Sequence, residues 1–173
     1  MILVTGATGI VGRPLLRLLA GEEVRAVTRD PAAANLPAGV RAVRPAEIGS
    51  ALRGVTAVFV NPRAVGPAAG ELLALAREQG VRRVVVLSAV NVDEDLDRQP
   101  SRFRGDLNKE TEDVVVGSGL DWVSLRPTVF AANLLGLWGE QLRAGDVVRG
   151  PYAGATSAPI HELDIAAVTA RGN

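Results

Sequence analysis

Six short apolar runs punctuate the chain, at residues 2–5, 24–28, 40–43, 57–60, 84–87 and 122–125. They are rich in β-branched residues, and their apolar positions are consecutive instead of alternating. Such runs predict strands buried on both faces, as in a parallel sheet covered by helices. Between them the apolar spacing becomes helical. Residues 9–20 carry Val11, Leu15, Leu18 and Leu19 at that spacing, and residues 68–79 carry Leu72, Leu73, Leu75 and Ala76. Gly21 and Gly80 close these segments where a left-handed C-cap is wanted. A further helix is predicted over 106–117, ended by Gly117-Ser118-Gly119. This alternation predicts an α/β fold: a doubly wound, mostly parallel sheet with helices on both faces and right-handed crossovers.

Two stretches break the pattern. Residues 91–104 are charged and contain Pro100, which predicts a mobile loop beside the strand ends. Beyond Gly145, Val147-Val148, a Gly/Pro-rich stretch to Ala158 and a short helix over 161–170 predict a loosely organised tail.

Composition narrows the partners. Nineteen Lys and Arg balance nineteen Asp and Glu, so no positive excess favours nucleic acid or an acidic membrane surface. The chain has no Cys and one His, His161, which removes disulfides, thiolate sites and a His-rich metal site; no metal is expected. The apolar start ends at Thr5-Gly6, far short of the roughly 20 residues of a membrane span, so a soluble cytoplasmic protein is expected. At roughly 100–200 residues per domain, the 173 residues predict a single domain.

The most informative residues come first: Val4-Thr5-Gly6-Ala7-Thr8-Gly9-Ile10-Val11-Gly12. A buried strand runs into Gly-x-x-Gly-x-x-Gly and a helix follows. Gly6 permits the tight turn, Gly9 lets a pyrophosphate approach backbone N–H groups, and Gly12 lets the helix pack closely on the sheet. The helix N-terminus supplies partial positive charge for phosphates. The second strand ends at Arg29-Asp30-Pro31, beside the adenosine ribose in this architecture. An acidic residue there binds a bare 2′-OH and an arginine pairs a 2′-phosphate; with Arg29 first, NADP(H) is expected over NAD(H).

These motifs resemble the NmrA-like atypical short-chain dehydrogenase/reductases. The resemblance rests on Val4–Arg13 and on Ala26-Val27-Thr28-Arg29-Asp30-Pro31. It continues in Gly119-Leu120-Asp121-Trp122-Val123-Ser124-Leu125-Arg126-Pro127 with Phe130 and Asn133, and in the segment from Ala158 to Ala166. It implies a Rossmann-type domain binding NADP(H), with Gly6, Ala7, Thr8, Gly9, Ile10 and Val11 as the phosphate loop and Arg29 at the 2′-phosphate. It also implies Asn61 beneath the cofactor ribose, Ser88 and Ala89 beside the nicotinamide, and Pro127 beyond the sixth strand. Family members are longer, so residues from about 145 to 173 are expected to be a remnant of the substrate-side lobe. The family's small acidic motif after the third strand is replaced here by Arg44-Pro45-Ala46.

Chemistry is less legible. A Tyr-x-x-x-Lys pair, in which lysine lowers the pKa of a proton-donating tyrosine, is absent: Gly105 stands four residues before Lys109, and Tyr152 lies in the tail. Lys109 resembles the family's lysine near the nicotinamide ribose but sits one position out of register, a rotation of about 100° on a helix. A pair with Asp113 is the competing reading. Ser88 reads either as a hydrogen-bond donor to a substrate carbonyl or as a turn former. Asp93-Glu94-Asp95 with Asp97 reads as a solvated charged loop, and His161-Glu162 with Asp164 as the polar start of a helix. Phe130, Leu134, Leu135, Leu137 and Trp138 line a cleft or form an exposed patch that drives association, as in a homodimer. The expected function is an NADPH-dependent reductase of a small quinone-, azo- or enone-type substrate. A non-catalytic NADP(H)-binding redox sensor with a regulatory protein partner is the alternative, and a shortened paralogue with a decayed site is a third.

Overall fold

The computed structural model describes residues 1–150, 154 and 156–172. Six strands form one sheet: β1 (Ile2–Val4), β2 (Val24–Val27), β3 (Val40–Val43), β4 (Ala57–Val60), β5 (Arg83–Leu87) and β6 (Asp121–Leu125). Their order is β3-β2-β1-β4-β5-β6, and every pairing is parallel. The six apolar runs are therefore the six strands. Strand order reverses between β1 and β4, and in such sheets ligands bind beyond the strand C-termini at that reversal.

Consecutive side chains of the central strands β1, β4 and β5 enter different cores, which is why their runs are apolar without alternation; the edge strands β3 and β6 are only partly covered, against the expectation of burial on both faces. Ile2 and Val4 join Phe59, Val85 and Leu87 under helices α1 (Gly12–Leu18) and α7 (Glu162–Gly172), with Leu15, Leu16, Ile165 and Ala166. Leu3, Val58, Val60, Val84 and Val86 face the opposite way, and Leu52 of the short helix region around α2 (Ile48–Ala51) joins them. Leu72, Leu73 and Ala76 of α4 (Ala69–Glu78) and Val115 of α5 (Asn108–Val116) complete that second core. Between α2 and α4 lies a one-turn helix, α3 (Pro62–Val65), started by Asn61, whose side chain accepts from Arg63 N. The remaining helix, α6 (Ala131–Ala144), follows β6.

Three expectations need correction. The first helix begins at Gly12, three residues later than its apolar spacing suggested, because the glycine loop completes turns of its own: Gly9 N–H donates to Gly6 O at 2.9 Å and Arg13 N–H to Gly9 O at 3.0 Å. The tail is more organised than predicted, since Ile165, Ala166 and Thr169 of α7 are buried and α7 packs along α1. Tyr152 lies outside the described residues. Residues 91–104 are not a free loop either. Gln99, 2% exposed, donates from Nε2 to Val92 O at 3.1 Å and Glu94 O at 2.8 Å, and Asn91 Nδ2 donates to Arg98 O at 3.3 Å.

The edge strand β6 is the least covered, with Trp122 46% exposed. Leu135 and Leu137 of α6 also face solvent, whereas Phe130 packs against the α1–α7 core. No helix among the described residues is long and apolar enough to cross a membrane.

Replacing Gln99 by Ala strands the buried Val92 carbonyl and frees that of Glu94, and is expected to cost about 1–3 kcal/mol in urea unfolding. Amide exchange should quicken within residues 91–104 first; unchanged exchange there would contradict the pinned loop.

Candidate functional site

At the reversal of strand order, Thr5 ties β1 to β4. Its N–H and its hydroxyl both donate to Phe59 O at 3.0 Å, and the hydroxyl accepts from Asn61 N–H at 2.8 Å. The chain then turns at Gly6, whose φ of +63° is the left-handed region that favours glycine. A Cβ at Gly6 would also lie 3.0 Å from Asn61 Nδ2. Asn61 thus packs directly against the loop after β1.

Gly9 is exposed at the head of the loop, and a Cβ there would lie 3.1 Å from Gly6 O. Gly12 is more constrained: a Cβ would stand 2.2 Å from Gly6 O and 2.8 Å from the Ala7 backbone. The close packing predicted for Gly12 is therefore between the helix start and the glycine loop itself. Ala7 and Val11 are buried and anchor the loop, while Ile10 is half exposed. No side chain caps α1 at Val11; in its first turn the Arg13 N–H is taken by Gly9 O and Pro14 has no N–H.

Past β2, Arg29 is exposed and has no ion-pair partner among the described residues. Asp30 is occupied locally, its Oδ1 accepting from Ala32 N–H at 3.1 Å and Ala33 N–H at 3.3 Å. Arg13, which sequence reasoning passed over, reaches across this region, donating from Nε to Thr8 O at 3.0 Å and from Nη1 to Ala34 O at 3.2 Å. The available signal was a cation immediately after the third glycine.

On the other side of the reversal, pairing between β5 and β6 continues beyond the strands: Ser88 N–H donates to Leu125 O at 2.7 Å and Val90 N–H to Pro127 O at 3.0 Å. This brings Ser88, Ala89 and Pro127 together. Ser88 Oγ and Thr111 Oγ1 are buried without a well-formed hydrogen bond among the described residues.

Beside them lies a charged cluster that sequence reasoning also missed. Glu112 of α5, 4% exposed, accepts from Ser124 Oγ at 2.6 Å and from Arg126 Nε at 3.0 Å, with Arg126 Nη2 on the same carboxylate. Arg126 Nη1 also donates to Asp93 at 2.5 Å. Burial pushes the Glu112 carboxyl up, but Arg126 and Ser124, with the Ser88 hydroxyl nearby, outweigh it and hold the carboxyl below the ordinary carboxylate range. The usable signal was a carboxylate three residues before the buried Val115. Lys109 is committed as well: its ammonium donates to Asp113 at 2.5 and 2.7 Å, and that bond raises its pKa. His161 Nδ1 accepts from Leu163 N–H at 3.1 Å, and Glu162 Oε1 accepts from Ala132 N–H at 2.8 Å, so this pair starts α7 and tethers α6. Among the described residues no group of three or more His, Cys, Asp or Glu could hold a metal ion.

A doubly wound parallel sheet with a glycine loop at its reversal defines a dinucleotide-binding fold. The family model described as NAD(P)H-binding matches residues 6–170, and the chain belongs to that family. Its place among the NmrA-like atypical short-chain dehydrogenase/reductases, first read from the motifs, stands. It is 38% identical over 176 residues to the (4-alkanoyl-5-oxo-2,5-dihydrofuran-3-yl)methyl phosphate reductase of Streptomyces griseus. It is 29% identical over 181 residues to the NAD(P)H azoreductase of Xenophilus azovorans. Both alignments cover 97% of this chain and 61% of the relative. The NADPH-dependent quinone oxidoreductase of Escherichia coli superposes with a TM-score of 0.79 at 26% identity, covering 99% of this chain and 62% of that one. The chain thus spans about 61% of the length of the curated relatives it matches.

Two outcomes follow. A carboxylate held ionised in the folded state stabilises the fold above its usual pKa of 4.5, and that stabilisation is lost as pH falls through the depressed folded value. Glu112→Gln is expected to cost about 2 kcal/mol at pH 7, below the value for a wholly buried pair because Arg126 can hydrate. It should also flatten the decline of Tm between about pH 5 and 3; an unchanged acid limb in thermal scans would refute this. Gly12→Ala is expected to cost about 3 kcal/mol or more by overpacking, measured by urea unfolding.

Proposed function

We propose that this chain binds NADP(H) and serves as a reductase of a small conjugated acceptor of quinone, azo or enone type. The observation that carries the reading is the glycine loop at the sheet reversal. Gly6 turns left-handed and Gly12 lets α1 close on the loop, which leaves the loop backbone with Gly9 exposed at its head, a shape that suits a dinucleotide pyrophosphate. Gly6, Ala7, Thr8, Gly9, Ile10 and Val11 would hold the pyrophosphate, Asn61 would lie beneath the ribose, and Ser88, Ala89 and Pro127 would flank the nicotinamide. The cofactor supplies a hydride when bound.

The remaining work falls to the chain's own groups. The free Arg29 and the committed Asp30 favour a 2′-phosphate over a bare 2′-OH, because the carboxylate that would receive the hydroxyl already caps a turn. The Ser88 hydroxyl, buried beside the Glu112 carboxylate, would have to turn from it to orient a substrate carbonyl. Arg126, Glu112 and Asp93 hold the Ser88–Val90 segment stiffly at the strand ends. The activities of the relatives, two reductases and a quinone oxidoreductase, support the reaction class.

A non-catalytic NADP(H) sensor is the second reading, favoured by one observation: Lys109 is bound to Asp113 and offers no free ammonium. Titration with NADPH and NADH, followed by energy transfer from tryptophan to nicotinamide, tests the site. NADPH should bind more tightly, and Arg29→Ala should weaken it by about tenfold, equivalent to about 1.4 kcal/mol, with NADH little changed. Binding of neither nucleotide would overturn the reading. NADPH consumption with quinone and azo acceptors then separates reductase from sensor.

A further inference from the structure

Arg13 carries an inference that rests on the dinucleotide reading and goes beyond it. It follows Gly12 in the first turn of α1, and its N–H donates to Gly9 O at 3.0 Å, so its backbone is fixed to the glycine loop. Its side chain bridges two loops that sequence separates by more than twenty residues. Nε reaches Thr8 O of the glycine loop, and Nη1 reaches Ala34 O, behind the turn that follows Arg29. Both acceptors are neutral carbonyls. No carboxylate among the described residues pairs with it, and Asp30 spends Oδ1 on Ala32 and Ala33.

A guanidinium presents five N–H donors, and here only Nε and Nη1 have partners. The cation is therefore oriented and uncompensated, with donors to spare. Orientation by two backbone carbonyls removes most of the side-chain entropy that a free arginine would lose on gripping an anion. Its span, from the loop that would hold the pyrophosphate to the turn behind Arg29, would border the adenosine ribose of a bound dinucleotide. A phosphate monoester dianion suits two guanidinium groups better than one.

We propose that Arg13 is a second specificity-determining residue, which joins Arg29 in selecting a dinucleotide that carries a 2′-phosphate. The competing role is a staple that merely fixes the spacing of the two loops. A staple affects every nucleotide alike, whereas a phosphate partner affects only phosphorylated ones.

The test measures dissociation constants of NADPH, NADH, 2′,5′-ADP and 5′-ADP for the parent chain, Arg13→Ala, Arg13→Lys and Arg29→Ala. Arg13→Ala is expected to weaken NADPH and 2′,5′-ADP by about tenfold and NADH and 5′-ADP by less than about twofold. Arg13→Lys keeps the charge, safeguards the fold if the alanine variant fails, and should recover part of the selectivity. Equal weakening of phosphorylated and unphosphorylated ligands in the lysine and alanine variants would overturn the proposal and leave the staple. If the parent binds none of the four, the dinucleotide reading itself fails. If Arg29→Ala loses selectivity and Arg13→Ala does not, only the role of Arg13 falls.

Discussion

Where β1 gives way to α1, backbone meets backbone. The α-carbon of Gly12 sits so close to the Gly6 carbonyl that a single methyl group there would come within 2.2 Å of the oxygen. The rest of this end of the molecule is arranged around that approach. Gly6 must turn left-handed to present its carbonyl, Thr5 must anchor the strand end to Phe59 so that the turn has a fixed origin, and Asn61 fills the space beside it. The helix leaves at an angle that drives Leu15 and Leu16 into the core and swings Arg13 over the loop. Local geometry, core packing and the candidate site share one contact.

The far side of the reversal is held differently, by charge. Burying Glu112 would be costly without partners, since removing an ionised carboxylate from water costs several kcal/mol or more. Ser124 and Arg126 answer that cost, and Arg126 extends the bond to Asp93 in the loop above. The ends of β5 and β6 are thereby kept in register past the last strand residue. A half-exposed arginine is well suited to this work, because its outer edge stays hydrated while its inner edge grips the carboxylate.

What could be read from the sequence follows the range of each interaction. The central strands, buried on both faces, leave consecutive apolar residues that are legible as such; β3 and β6 are legible by their apolar, β-branched runs although the fold leaves them partly exposed, and the glycine spacing announces the loop. The Lys109–Asp113 pair was visible because its members stand one helical turn apart. Glu112, Arg126 and Asp93 meet across separations of 14 and 33 residues, which no local pattern encodes. The apolar spacing that predicts a helix from residue 9 runs through the glycine loop, whose own turns precede α1. The charge and Pro100 of residues 91–104 predict a mobile loop, yet the buried Gln99 amide holds the Val92 and Glu94 carbonyls and orders the stretch.

The turn after Arg29 has a consequence for how such a chain can change over time. Asp30 already serves as the fastening of the backbone at Ala32 and Ala33. Recruiting that carboxylate to a ligand would leave two amides unfastened, so a drift in ligand preference at this position would carry a folding penalty with it. On the NADP(H) reading proposed above, selectivity and foldability would be coupled there through a single side chain, and an evolutionary path that separates them would first have to supply the turn with another acceptor.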